Sequence, residues 1–182
     1  MPYKVLAIDL AERYSGAVLL TTSGTVSACH LLDVGPNKMR VFKGGIRSED
    51  WMDKSHALES FLNQCFASTA FDSLNTAWVI ENIPPHMLNG YPAMRLQGAI
   101  TFYLEHNFKV TPFLMNASTW QKGMGYVRKK GTSPKGWAKE KCEELGFEMP
   151  DDIHGKALTD LRDAFLMAHF FQDYWPNLEL EA

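Results

Sequence analysis

The sequence predicts an α/β fold: a five-stranded mixed sheet with helices on both faces, in a single domain spanning residues 1–182. Three observations carry this. Five short apolar runs have strand length: "YKVLAID", "GAVLLTT", "TVSACHLLDV", "TAWVIE" and "KVTPFLM". Longer stretches with helical spacing separate or follow the later runs. The elements then fall in the order β-β-β-α-β-α-β-α-α, which packs as a sheet covered by helices.

Each element has its own warrant. Residues 3 to 9 form a continuous apolar strand that ends on Asp9. The second and third runs flank Ser23-Gly24, a turn signal, so the first three strands form an antiparallel meander. Residues 35 to 48 are polar, rich in Gly and Lys, and read as a loop. "SEDWMDKSHALESFLNQCFAS" has helical spacing in Trp51, His56-Ala57, Phe61 and Cys65, with Ser48 placed as N-cap. "TAWVIE" is a short strand that ends on Glu81. Two prolines and an Asn-Gly make "NIPPHMLNGYP" a loop. "AMRLQGAITFYLEHN" is a second helix, and "KVTPFLM" a fifth strand at an edge, because Pro112 lacks a ladder donor. "ASTWQKGMG" is a turn or short helix, leading to the basic loop "YVRKKGTSPKG". "SPKGWAKEKCEELGF" has Ser133 as cap, Pro134 in the first turn and Gly146 as stop. "MPDDIHG" links to the last helix, "KALTDLRDAFLMAHFF".

Bulk properties exclude several classes. Hydrophobic content of 46% and charged content of 21% describe an ordinary globule with material for a real core. No run of ~18 apolar residues is present to span a membrane. The opening "MPYKVLAIDL" does not read as a signal peptide, because its apolar stretch is short and holds Asp9. A cytoplasmic location is expected, in the host's cytoplasm if a phage encodes the chain. The three cysteines, Cys29, Cys65 and Cys142, are odd in number and far apart, so neither a disulfide framework nor a zinc knuckle is expected. "NAS" at Asn116 is a glycosylation acceptor only in a secreted protein. Net charge is −3, but its distribution is uneven. Residues 122 to 141 hold Lys122, Arg128, Lys129, Lys130, Lys135, Lys139 and Lys141 against the single acid Glu140. A basic stripe on an acidic body fits contact with a polyanion, and equally a solvated helix with its loop.

The acids raise the sharper question. At about 100° per residue, Ala157, Leu161, Ala164, Phe165, Ala168 and Phe171 fill one arc of the last helix. Arg162 and His169 lie roughly opposite, on the expected wet side. Asp160 and Asp163 sit at the rim of the apolar arc as neighbours. Two like charges that close repel, and partial burial worsens the repulsion. In isolation they read as solvated rim acids, or as partners of Lys156. However, Asp9 ends the first strand and Glu81 the fourth, and functional groups in open α/β sheets gather beyond the carboxyl ends of strands. If those strands are parallel neighbours, their acids lie side by side. A helix across that end would add Asp160 and Asp163. Four converging carboxylates become favourable around Mg²⁺ or Mn²⁺, which take hard oxygen ligands. Two such ions ~3.5–4 Å apart support phosphodiester cleavage.

At these residues the chain resembles a known family. "VLAIDLAERYSGAVLL", "WVIEN" and "ALTDLRDAFLMA" look like the RuvC-type Holliday-junction resolvases of the RNase H-like nuclease superfamily. "RLQGAI" resembles the family's second helix, and "STWQKGMG" with "SPKGWAKEKCEELG" its Lys-bearing segment. The similarity runs through most of residues 4 to 171, and its specificity lies in motif order and spacing. The resemblance implies an RNase H-like fold with Asp9, Glu81, Asp160 and Asp163 as catalytic metal ligands for Mg²⁺ or Mn²⁺, two ions per site. It implies Lys122 and Lys135 as catalytic or phosphate-binding positions. The implied enzyme is a crossover junction endodeoxyribonuclease, a homodimer with the helix at 91 to 105 in its interface. It would cut two symmetric strands of a four-way junction in DNA recombination and repair, leaving 5′-phosphate and 3′-hydroxyl ends.

Two departures mark a divergent member, of a kind a phage could encode. Family members commonly follow the first Asp with Pro-Gly, where this chain has Leu10-Ala11. Their loop after the Glu carries an aromatic wedge, for which this chain offers His86 or Tyr91. Arg128, Lys129, Lys130 and Lys139 are the expected phosphate contacts. Trp120 and Trp137 flank the basic loop, as core anchors first and base-stacking groups second. The histidines show no paired ligand spacing. "GMGYVRKKGT" lacks the ending of a phosphate-binding loop. Two alternatives stay open: a nuclease for flaps, other branched DNA or RNA–DNA hybrids, and a non-catalytic DNA-binding module.

Overall fold

The computed structural model describes residues 4–11, 14–33, 48–69, 75–83, 91–128, 133–148 and 155–178. Strands β1 (Lys4–Asp9), β2 (Tyr14–Leu20), β3 (Val26–Asp33), β4 (Thr76–Asn82) and β5 (Phe113–Asn116) form one sheet in the order β3-β2-β1-β4-β5. β1 pairs antiparallel with β2 and parallel with β4, and β5 continues parallel to β4. The meander at β1–β3 and the mixed sheet are therefore as expected. The turn at Ser23-Gly24 closes with Thr21 N–H donating to the Thr25 carbonyl at 2.8 Å.

Helices α1 (Ser48–Thr69) and α2 (Tyr91–Tyr103) cover one face. Helices α3 (Ala117–Gly123), α4 (Pro134–Glu144) and α5 (Lys156–Leu178) cover the other. Strand alternation sorts the two cores. Leu6, Ile8, Ala17, Leu19, Trp78 and Ile80 face α1 and α2, whereas Val5, Ala7, Val18, Leu20 and Val79 face α5. Burial on both sides explains why β1 is a continuous apolar run with no polar alternation.

Helix α5 is buried on more than one side. Ala164, Phe165, Leu166, Met167 and Ala168 are consecutive buried residues, because the sheet lies under the helix and α3 and α4 pack beside it. Phe147, after α4, stacks on Phe165 with centroids 4.2 Å apart. This corrects the expectation of a wet side at Arg162 and His169. Both are half-buried, and the His169 ring meets Phe165 edge-on at 4.6 Å.

Local signals account for most element ends. Ser133 caps α4 by accepting from Gly136 N–H at 3.0 Å, with Pro134 in the first turn. Gly146 ends it at a φ of 71°, where only glycine is unstrained. The expected strand from 109 shortens to β5, because the preceding residues close α2. A π turn, Leu104–Phe108, follows that helix, and Val110 N–H donates back to the Leu104 carbonyl at 3.2 Å. Pro112 has no N–H to add to a ladder. β5 is an edge strand, as Pro112 implies. No helix among the described residues is long and apolar enough to cross a membrane.

Candidate active site

Three elements meet at one end of the sheet. β1 and β4 run parallel with Ile8 opposite Ile80, so the next residues along, Asp9 and Glu81, emerge side by side. Across the β1–β2 pair, Asp9 lies opposite Gly16. A Cβ on Gly16 would fall 2.7 Å from both the Asp160 carbonyl carbon and the Leu161 nitrogen. The absence of a side chain there lets the α5 backbone lie directly on β2, which brings Asp160 over the strand ends. Asp163 follows one turn later on the same face.

The four carboxyls act on one another electrostatically. Burial raises the Asp9 carboxyl well above its ordinary range, and the charges of Glu81, Asp163 and Asp160 raise it further. Burial also raises Glu81, and a side-chain hydrogen bond with Asp9 partly offsets this. Asp163 is pushed up to about 7, first by burial and then by Glu81 and Asp160, against Lys135 and Arg162. Asp160 rises to about 6 through burial, with Lys156 and Lys135 opposing. Asp160 is only 5% exposed, and its Oδ2 has no hydrogen-bond partner. Four acids held at this disadvantage are poor structural groups and good candidates for a function.

The chain leaving each strand end is tied down. Ser15 Oγ accepts from Ala11 N–H at 3.3 Å, which closes the turn after Asp9-Leu10. Beyond Glu81, Ile83 N–H donates to Gln97 Oε1 of α2 at 2.9 Å, and Gln97 Nε2 donates to Asn82 Oδ1 at 3.3 Å. Asn82 Nδ2 then donates to Asn116 Oδ1, at the start of α3, at 2.8 Å. This amide chain links the Glu81 strand end to two helices.

The structure divides the expected cations. Lys135, in the first turn of α4, acts on both Asp160 and Asp163. Lys122 does not figure among the charges that act on the four acids; it lines a separate cavity with Arg128. Lys139 is exposed and pairs with Glu143 at 3.8 Å along α4. Lys129, Lys130 and His86 lie outside the described residues. Tyr91 opens α2, and its side chain is likewise outside them. Sequence reading missed Arg162 as a neighbour of Asp163, and it missed Gly16 and the amide chain. A glycine inside an apolar strand is the one signal that pointed to a close approach.

Among the described residues, no three His, Cys, Asp or Glu side chains stand together as a ready metal-ligand set. The donor chemistry still fits a hard divalent cation: carboxylate oxygens only, each pushed toward neutrality, one of them buried without a partner.

The sheet order, the covering helices and this strand-end geometry define an α/β chain of the RNase H-like fold. Two solved structures match it over nearly their whole length. Thermus thermophilus RuvC in complex with a Holliday junction substrate has a TM-score of 0.62 at 11% identity, covering 94% of this chain and 95% of that one. Thermus thermophilus RuvC has a TM-score of 0.62 at 12% identity, covering 94% and 96%. At that identity the likeness is one of fold. No protein-family model matches the chain, and no curated protein matches it.

Proposed function

We propose that this protein is a metal-dependent, structure-specific DNA endonuclease that resolves four-way junctions. The convergence of Asp9, Glu81, Asp160 and Asp163 at the strand ends carries the reading. The likeness in fold to a RuvC bound to a Holliday junction supports it. Asp9, Glu81, Asp160 and Asp163 would hold two Mg²⁺ or Mn²⁺ ions, which when bound would supply an activated water and neutralise charge at the phosphate. Lys135, beside Asp160 and Asp163, stabilises charge on the phosphoryl oxygens as it develops. Lys122 and Arg128, with Lys129 and Lys130 in the same basic stretch, hold the flanking backbone. The products carry a 5′-phosphate and a 3′-hydroxyl. Paired incision needs two sites, so the working unit is a homodimer. Phe102 of α2, 68% exposed, offers an apolar contact for its interface.

The test is a nicking assay on a mobile four-way junction, with linear duplex and flap controls in Mg²⁺ or Mn²⁺, for the natural chain and Asp160→Asn. Paired symmetric cuts that vanish in the variant are expected. Cutting of flaps or hybrids but not junctions would keep the metal site and change the substrate. Junction binding without any cutting would make the protein a binding module.

A further inference from the structure

A cavity of about 570 Å³ is lined by Ser118, Gln121, Lys122, Tyr126, Arg128 and Pro134. Its volume is that of a small-molecule pocket. Holding the backbone of a duplex needs only a basic surface, whereas an aromatic floor inside a recess suits a base taken out of its stack.

The aromatic floor is built in advance. The chain after α3 folds back on it: Met124 N–H donates to the Trp120 carbonyl at 2.9 Å, Gly125 N–H to Lys122 at 3.0 Å and Tyr126 N–H to Gln121 at 2.8 Å. The Tyr126 ring rests against Trp137 of α4, with centroids 5.2 Å apart. Trp137 in turn leans on Trp120, at 6.3 Å, which is fully buried. The phenol is thus fixed to the core through two indoles, so little side-chain freedom remains to be lost when something stacks on it. Around it, Lys122 and Arg128 supply positive charge, and Ser118 and Gln121 supply donors and acceptors of the kind a base edge uses. Pro134 forms the rim, and the next residue, Lys135, acts on Asp160 and Asp163. The cavity and the acids therefore share the first turn of α4.

We propose that this cavity takes one unpaired nucleotide of the substrate strand next to the scissile phosphate, its base against Tyr126 and its phosphate between Lys122 and Arg128. The proposal rests on the nuclease reading for its substrate and adds to it a one-base preference near the cut. Branched DNA with an unpaired base is the natural source, since a base that is already mismatched or single-stranded is the least costly to unstack.

The test measures binding, in EDTA, of the full-length chain to a four-way junction and to a linear duplex of the same sequence. Tyr126→Ala should weaken junction binding roughly 5- to 150-fold, the range of one lost base–aromatic stack, and leave duplex binding unchanged. Tyr126→Phe keeps the ring and should bind as the natural chain does, which separates stacking from misfolding. A junction with 5-iododeoxyuridine at the branch point should photocrosslink to Tyr126. Equal losses on junction and duplex, a Phe variant as weak as the Ala variant, or unchanged junction binding by Tyr126→Ala would each overturn the proposal. Binding in EDTA does not require cleavage. A pocket-dependent binder that cuts nothing would sink the nuclease reading alone, and a junction cutter indifferent to Tyr126→Ala would sink the pocket alone.

Discussion

Asp160→Asn should stabilise the metal-free protein at alkaline pH while removing its cleavage activity. The Asp160 carboxyl moves from an ordinary value of 3.8 to about 6 on folding. A carboxyl raised by folding contributes most below its unfolded value, and that contribution is lost as pH rises through the folded one. Below about pH 4 the folded and unfolded chains are both protonated, and the site carries no penalty. By pH 8 the folded chain must hold a buried carboxylate, at a cost of about 3 kcal/mol. Asparagine has no charge to desolvate. For a chain of this length, about 1–3 kcal/mol corresponds to roughly 2–12 °C in melting temperature. Thermal melts in EDTA from pH 4 to 8.5 would measure it. The gain should be near zero at the acid end and full at the alkaline end. A variant that melts lower at pH 8, or that gains equally at every pH, would refute the electrostatic account of this site. Mg²⁺ provides the complementary arm. It should raise the melting temperature of the natural chain, by about 2.7 kcal/mol of stability at a hundred times its dissociation constant, and do much less for the variant.

Other expected outcomes follow from particular contacts. Gly16→Ala places a methyl against the Asp160 backbone, so it should destabilise by about 1–3 kcal/mol, read by denaturant melts, and reduce turnover more than DNA affinity. Lys135→Ala removes a charge that lowers Asp163, so the acid limb of the pH–rate profile should move to higher pH. Gln97→Ala leaves the half-buried system at Ile83 N–H and Asn82 without its partner. Stability should fall by about 1–3 kcal/mol, with the activity loss larger than a distant core change of equal destabilisation produces. Arg128→Ala should weaken binding to all DNA sequences alike and reduce the salt slope of log K by about one.

How far the sequence could be read follows from which signals are local. Asp9 and Glu81 were legible because Asp9 closes the apolar run of β1 and Glu81 is the acid that ends the apolar run of β4, one residue before its end at Asn82. Ser133-Pro134 and Gly146 were legible because caps and stops act within one turn. That β1 and β4 are parallel neighbours was only a condition in the sequence reading, since strand pairing leaves no local mark. The helical wheel of α5 misplaced Arg162 and His169 because a single apolar arc assumes one packing partner. This helix has the sheet beneath it and α3 and α4 beside it. Lys109–Pro112 looked like strand by composition, while the structure uses Val110 to close a π turn. Gly16 carries no local signal beyond being a glycine in a strand, and its role depends on a helix more than a hundred residues away, where Asp160 lies. Lys122 and Lys135 looked equivalent as basic loop residues, and the Ser133 cap is what sets Lys135 against the acids.

The separation of those two lysines bears on a problem any such site must solve. On the proposed function the four acids repel the phosphate that water is to attack, and burial strengthens the field they produce. The chain meets this with two adjoining regions of opposite sign. The acids sit at the ends of β1 and β4 and on α5, sunk into the fold. Lys122, Arg128, Lys135 and Lys139 stand on α3, the following turn and α4, where their side chains are exposed. Lys135 belongs to both regions, since it acts on Asp160 and Asp163 while the residue before it rims the cationic cavity. On the proposed function, DNA would be held by the basic region without entering the acidic one, and its scissile phosphate would become tolerable to the acids only with cations between them. Substrate capture and cleavage would then be separable steps, and the electrostatic penalty that weakens the metal-free fold would make cleavage conditional on the metal.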